Sequence, residues 1–244
     1  TGHTTTHCFG DSTKRTMEGH VMDFDSIFAA FYNQFRADSD IPTSTDDEYT
    51  VGLRMANEAI NRWQNYDGMY WRELFDTNQT DGTGAQTVVT SQTTYTAPTN
   101  FKEAGGFVRI LDSSGNVIQR YAIIEPNEVQ FKGDNTNYCY FTGNPKDNYT
   151  LHLNPAPPSS LNGLDIEYDY YKTPTEFTTG TDVTEMADPY FIVNRMLANQ
   201  FRAARNPYYT SAKSDAENAL RQMQIDNNSG TWANPWTQAD NSGT

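Results

Sequence analysis

The chain has 244 residues and a formal net charge of −14, with 36% hydrophobic, 13% aromatic and 20% charged residues. That length holds one large domain or two small ones with a real core, and aromatics carry much of the burial. A surface this acidic repels phosphate backbones and excludes a sequence-reading nucleic-acid binder, but it suits a conduit through which nucleic acid passes without sticking.

Residues 1–22 have no periodicity and read as a polar arm, mobile or packed on a neighbouring subunit. They hold His3, His7 and His20. His3, His7 and Cys8 lack a fourth ligand at a standard zinc spacing, so they do not read as a metal site. The two cysteines, Cys8 and Cys139, read as free thiols of a reducing compartment, with a single disulfide as the alternative. No basic-then-apolar leader opens the chain, and no apolar run reaches bilayer-spanning length.

Residues 23–37 read as a helix capped by Asp23 or Asp25, with Phe24, Ile27, Phe28, Phe31 and Phe35 on one stripe. Ile41-Pro42 breaks the chain. Ser44 or Thr45 then starts a second helix, with Asp46, Asp47 and Glu48 in a first turn where the helix dipole favours acids. Tyr49, Leu53, Ala56, Ile60 and Trp63 form its buried face, and it stops near Asp67-Gly68. Met69, Tyr70, Trp71, Leu74 and Phe75 follow as a short amphipathic turn.

From Thr77 the chain becomes turn-rich and then β-rich. Residues 87–97 read as one strand. Residues 107–112 and 116–124 flank a Ser-Ser-Gly hairpin turn, and 137–143 and 148–153 flank a second turn. Residues 164–171 read as one strand, with Leu164, Ile166, Tyr168 and Tyr170 on one face. Helix returns over 182–204, capped by Asp182 with Glu185 three residues on as an Asp-led capping box. Pro189 is tolerated in its first turns, and Tyr190, Val193, Leu197, Phe201 and Ala204 form its buried stripe. Asn206-Pro207 ends it. A last helix runs from about Tyr209 to Ile225, with Ala212, Ala216, Ala219, Leu220 and Met223 inward. The polar tail carries Trp232 and Trp236, which read as anchors that order on a partner or tuck onto the chain's own surface.

The order is helices, strands, helices. The expected class is α+β: a bundle of about four helices from both ends of the chain, with an inserted antiparallel β-sandwich or small barrel. The expected divisions are an arm (1–22), N-terminal helices (23–76), a β-domain (77–172), C-terminal helices (173–225) and a tail (226–244).

No glycine-rich phosphate loop, GxSxG, HExxH or CxxC pattern occurs, and no catalytic residue, metal or cofactor is expected. His152 lies between Leu151 and Leu153 and reads as solvent-facing. Asp165 and Glu167 alternate on an exposed strand face, which explains them better than glycoside cleavage. The tracts Tyr138, Tyr140, Phe141 and Tyr168, Tyr170, Tyr171 divide between core and either a subunit contact or a sugar-stacking platform, contact being favoured.

The run from Leu164 onward carries a wider pattern. An alternating strand with Tyr168, Tyr170, Tyr171, Lys172 and Pro174 leads to Phe177, Thr181 and Asp182. Met186, Asp188, Pro189 and Tyr190 then open a helix. This resembles the head-to-tail adaptor (connector, neck) proteins of tailed bacteriophages. The segment DDEYTVGLRMANEAINRWQNYDGMYWREL looks like their opening helix, and the likeness covers roughly residues 24–225. It implies a virion protein made in the host cytoplasm. Such proteins form a ring, usually twelve-fold, under the portal that receives the tail or nozzle protein and extends the DNA channel. DNA would be passing cargo only. By the same resemblance residues 208–244 face the portal, with Tyr208, Tyr209, Arg221, Trp232 and Trp236 as contact candidates. Lys172, Pro174, Asp182 and Pro189 would then hinge the β-domain on the bundle. The alternatives are a carbohydrate-binding or tail-fibre β-module and, further off, a glycan hydrolase.

Overall fold

The computed structural model describes residues 22–36, 40–79, 86–133 and 136–229. The arm up to residue 21, with His3, His7, Cys8 and His20, and the tryptophans Trp232 and Trp236 lie outside the described residues.

Helix α1 spans Phe24–Arg36. Asp23 caps it, its Oδ1 accepting the Ser26 amide N–H at 2.9 Å. The predicted stripe is buried, with Phe35 partly so. Helix α2 spans Asp47–Gln64 and begins later than Ser44 or Thr45. The Asp46 carboxylate accepts the Thr43 amide (2.7 Å) and hydroxyl (2.9 Å), which closes a turn at 43–46 and holds those residues out of the helix. Tyr49, Ala56, Ile60 and Trp63 are buried as expected, joined by Gly52, Met55 and Ala59. Beyond α2 the chain reverses through Asp67 (φ 50°) and Gly68 (φ 65°). Trp71 then folds back, its ring 5.4 Å from Trp63 and its Nε1–H donating to the Trp63 carbonyl at 2.8 Å.

Ten short strands follow. They are β1 (Phe75–Thr77), β2 (Gln86–Thr87), β3 (Thr94–Thr96), β4 (Phe101–Ala104), β5 (Phe107–Leu111), β6 (Val117–Ile123), β7 (Tyr138–Asn144), β8 (Asn148–Asn154), β9 (Asp165–Glu167) and β10 (Asp169–Lys172). Seven form a sheet in the order β2-β9-β5-β6-β7-β8-β3, and β1-β10-β4 form a second. The end strands of the larger sheet approach one another, the Gln86 side chain donating to the Thr96 carbonyl, so the sheet is a nearly closed barrel. The α+β class and the small barrel are as expected. One feature departs from a purely antiparallel insert: β6 and β7 pair in parallel, bridged by the 3-10 segment Pro126–Phe131.

Both expected hairpins form, β5–β6 and β7–β8. The expected strand over 87–97 is two strands, because the chain turns at Ser91 (φ 63°) with the Gln92 N–H on the Val89 carbonyl. The expected strand over 164–171 also divides. At Tyr168 the chain leaves one sheet for the other, and the buried Asn78 amide takes the place of a strand neighbour there. Its Oδ1 accepts the Tyr168 N–H and its Nδ2 donates to the Ile166 carbonyl, both at 2.9 Å.

The last two helices are α3 (Tyr190–Ala203) and α4 (Tyr209–Ser229), packed as antiparallel neighbours. The buried face of α3 comprises Phe191, Ile192, Val193, Met196, Leu197 and Ala198. Tyr190 and Ala204 are exposed, which corrects the phase of the predicted stripe. As the central helix, α3 contacts α1, α2 and α4, so its burial wraps around the axis instead of following one 3.6-residue line.

Two hydrophobic cores result, one among the helices and one inside the β unit. Strand β10 belongs to both. Tyr170 stacks on Phe101 at 5.7 Å in the β core, with its hydroxyl donating to Asn100 Oδ1 at 2.9 Å. Tyr171 points the other way into the helical core, 4.9 Å from the Tyr70 ring and 5.4 Å from Phe75. Removing a buried aromatic of this size costs about 3–5 kcal/mol. Tyr171→Ala should therefore lower the unfolding midpoint in urea, with helical and aromatic signals lost together. A loss under about 1 kcal/mol would show that this contact does not bind the cores to each other.

Candidate interaction site

Helix was expected from residue 182, but α3 begins only at Tyr190. Residues 173–189 are an extended strap laid across α1 and α2. Asp182 does not cap α3, and Glu185 does not close a capping box. Each carboxylate is taken by the strap itself, which removes the helix start they were expected to make. Asp182 Oδ2 accepts the amides of Thr178 (2.6 Å) and Thr179 (2.7 Å) and the Thr178 hydroxyl (2.8 Å). Glu185 accepts the Thr175 amide (3.1 Å) and hydroxyl (2.8 Å). Pro189 stands at the N-cap of α3, and Asp188 Oδ1 just ahead of it accepts the Tyr190 N–H at 3.1 Å.

The strap is fixed to the helices along its length. Asn57 on α2 reads the backbone of Phe177 in both directions, Oδ1 accepting its N–H at 2.8 Å and Nδ2 donating to its carbonyl at 2.9 Å. The Phe177 ring is buried 5.4 Å from Phe24. The first amides of α1, which no intrahelical carbonyl can satisfy, donate to the strap: Phe24 N–H to Asp182 O (3.0 Å) and Asp25 N–H to Gly180 O (2.9 Å). A Cβ at Gly180 would run into the Asp25 carboxylate. That carboxylate accepts the Tyr49 hydroxyl at 2.7 Å, and burial followed by this hydrogen bond to Asp25 pushes the phenol up to about 12. At the strap's start, Lys172 Nζ sits 3.7 Å from both Asp76 and Glu185, and Pro174 is buried. The four residues Lys172, Pro174, Asp182 and Pro189 thus lie along one tied segment between the two cores.

The portal-contact candidates do not form one cluster. Tyr208 is 68% exposed beside Phe201, while Tyr209 is half-buried on the helical core. Arg221 is exposed on α4, roughly 18 Å further along the helix at 1.5 Å per residue. Helix α4 also continues past Ile225. The buried Asn227 amide holds it there, accepting the Arg72 N–H and donating to the Tyr70 carbonyl, both at 3.0 Å. No residue pattern signals this, because Asn227 lies in a polar run that reads as tail.

The aromatic tracts are structural. Tyr168, Tyr170 and Tyr171 are fully buried and cannot stack on a sugar. Tyr140 is covered by His152, rings 4.7 Å apart. His152 is half-buried and not solvent-facing; its Nε2 lies 2.7 Å from the Thr142 hydroxyl, and burial lowers its pKa. Glu167 is paired with Arg109, which also holds Asp169, each at 2.9 Å. Cys139 is a buried thiol that burial pushes up to about 12. Among the described residues no three His, Cys, Asp or Glu side chains come together as a metal-holding group, and no helix is long and apolar enough to cross a membrane.

The model of the SU10 adaptor protein family matches residues 22–239 of the chain. No curated protein matches it.

The amides and hydroxyls of Thr178 and Thr179 hold the Asp182 carboxyl well below the usual carboxylate range. Its folded pKa is depressed, so its contribution to stability is complete above the ordinary carboxylate pKa and is lost as pH falls through the folded value. Asp182→Asn should melt below the native chain at pH 7, and the difference should shrink as the solution is taken to strong acid. A difference independent of pH would contradict this assignment.

Proposed function

Because the chain belongs to the SU10 adaptor protein family, we propose that it forms an oligomeric ring joining the phage portal to the tail and extending the DNA channel. The family makes it a structural adaptor of a bacteriophage and a component of the virion. The ring, its twelve-fold order and its portal and tail or nozzle partners are the finer reading. The observation that carries it is the match across residues 22–239, which takes in both cores and the strap between them.

The fold fits such a part. A barrel and a helical bundle that share a strand and a tied strap can pass a load without folding against each other. The strap would set the angle between the face that meets neighbouring copies and α4, whose outer surface with Arg221, and Tyr208 just before it, would meet the portal. The net charge of −14 suits a wall that DNA must slide past, since like charges prevent sticking.

Electron microscopy of the purified chain, alone and mixed with its portal, tests the reading. Rings are expected in one condition or both. A chain that stays monomeric with its portal present would contradict it. Pro174→Ala and Asp182→Ala should reduce ring yield while far-ultraviolet circular dichroism stays near that of the native chain. Normal ring yield from both variants would remove the angle-setting role of the strap and leave the adaptor role in place.

A further inference from the structure

A cavity of about 250 Å³ opens at the surface between α1 and α2. Its walls are aromatic and aliphatic: Phe28, Phe31 and Phe35 from α1, Val51 and Met55 from α2. Gly52 also lines it, and a Cβ there would run into the Phe28 ring, so the missing side chain lets that ring lie against α2. The mouth carries charges of both signs. Arg36 stands on the α1 side, its guanidinium 5.5 Å from the centroid of the Tyr32 ring. Asp47 and Glu48 stand exposed on the α2 side. An apolar cavity of roughly 150 Å³ takes a benzene ring. This one has room for a phenyl ring with its methylene, and its lining offers that ring aromatic partners.

Phe131 is the matching projection. At 80% it is the most exposed large hydrophobic side chain among the described residues. It ends the 3-10 segment Pro126–Phe131, which crosses between the parallel strands β6 and β7. Both feet of the crossing are fixed. The Ile124 N–H donates to the Cys139 carbonyl at 2.9 Å, and the Ala122 N–H to the Asn137 carbonyl at 3.2 Å. Val129 is the half-buried side chain of the segment, while Phe131 is left in solvent. Residues three apart share a side of a 3-10 helix, so Glu128 stands beside Phe131, and Lys132 follows it. An apolar knob is thus flanked by an acid and a base, as the cavity's mouth is flanked by a base and two acids. The other apolar side chains more than half exposed fit less well. Ile118 and Ile225 offer no ring to the aromatic lining, and Tyr208 already rests beside Phe201, which in turn neighbours Phe35 of the cavity wall.

We propose that the Phe131 ring of one copy seats in the α1–α2 cavity of a second copy, with Lys132 meeting Asp47 and Glu48, and Glu128 meeting Arg36. This rests on the ring reading above and names one of its contacts. The projection belongs to the barrel and the cavity to the bundle, and the exposure of Phe131 shows that it does not fill the cavity of its own chain. Two complementary features on different parts of one chain make a heterologous contact, the kind that generates a ring when the rotation closes. An aromatic anchor seated in an apolar cavity carries most of the affinity of such a contact, and the opposed charges around it fix which way the neighbour docks.

Sedimentation and electron microscopy of the full chain, alone and with the portal, test it, together with a benzophenone photo-crosslinker placed at position 131. Phe131→Ala, and Val51→Trp, which plugs the cavity mouth, should each weaken self-association about tenfold or more. Lys132→Glu should weaken it by less, and Lys132→Glu combined with Asp47→Lys/Glu48→Lys should recover it, because both sides of the charged contact are then reversed. Phe131→Ala and Lys132→Glu should leave the melting curve unchanged, since both side chains are exposed. Light should join position 131 of one copy to α1 or α2 of another. Rings as abundant in Phe131→Ala and Val51→Trp as in the wild type would overturn this contact and leave the ring reading standing. Cross-links from position 131 to the portal, or to another part of the neighbouring copy, in place of α1 and α2 would do the same. A wild type that never self-associates, even with its portal present, would overturn both.

Discussion

Tyr170 and Tyr171 are neighbours on one short strand, and they are buried in different cores. Strand residues alternate sides, so a strand placed between two apolar bodies must give one side chain to each. β10 does this between the barrel and the helices, and its flanks reinforce it: Asn78 carries the chain from β9 into β10, and Lys172 holds Asp76 and Glu185 as the strap begins. The register of this strand is strongly specified, since a one-residue slip would exchange the faces and place each tyrosine in the wrong core.

The strap continues the same constraint by other means. It has little regular structure of its own, so its backbone polar groups must find partners elsewhere. Asn57 supplies two of them, and the start of α1 supplies two more amides. The exchange is mutual: α1 obtains carbonyl caps from Gly180 and Asp182, and the strap obtains donors. The acids that read as helix signals, Asp182 and Glu185, fold the strap onto itself instead. The connection between β10 and α3 is thereby tied to the helices along its length.

Much of this fold was legible in the residues. The α1 and α2 stripes, both hairpins, the helical return and the α+β order follow from periodicity and turn chemistry that act locally. What was not legible depends on groups distant in sequence or on rival partners for the same side chain. The division of 164–171 needs Asn78. The late start of α3 needs the threonines of the strap, which compete for the same carboxylates. The phase of α3 was misread because a helix surrounded on several sides has no single stripe, and Asn227 gave no signal because an amide that clamps a distant backbone looks like any tail residue. The aromatic tracts could not be divided between core and platform until the two faces of β10 were known to be both buried.

The central claim is that the two cores are one cooperative body held through β10 and the strap. Native-state hydrogen exchange tests it directly. The amides of Tyr170, Tyr171 and Phe177 should exchange only with global unfolding, at the same free energy as the slowest amides of α3 and β5. Exchange of these three amides at markedly lower free energy, with the helices and the barrel opening separately, would contradict it.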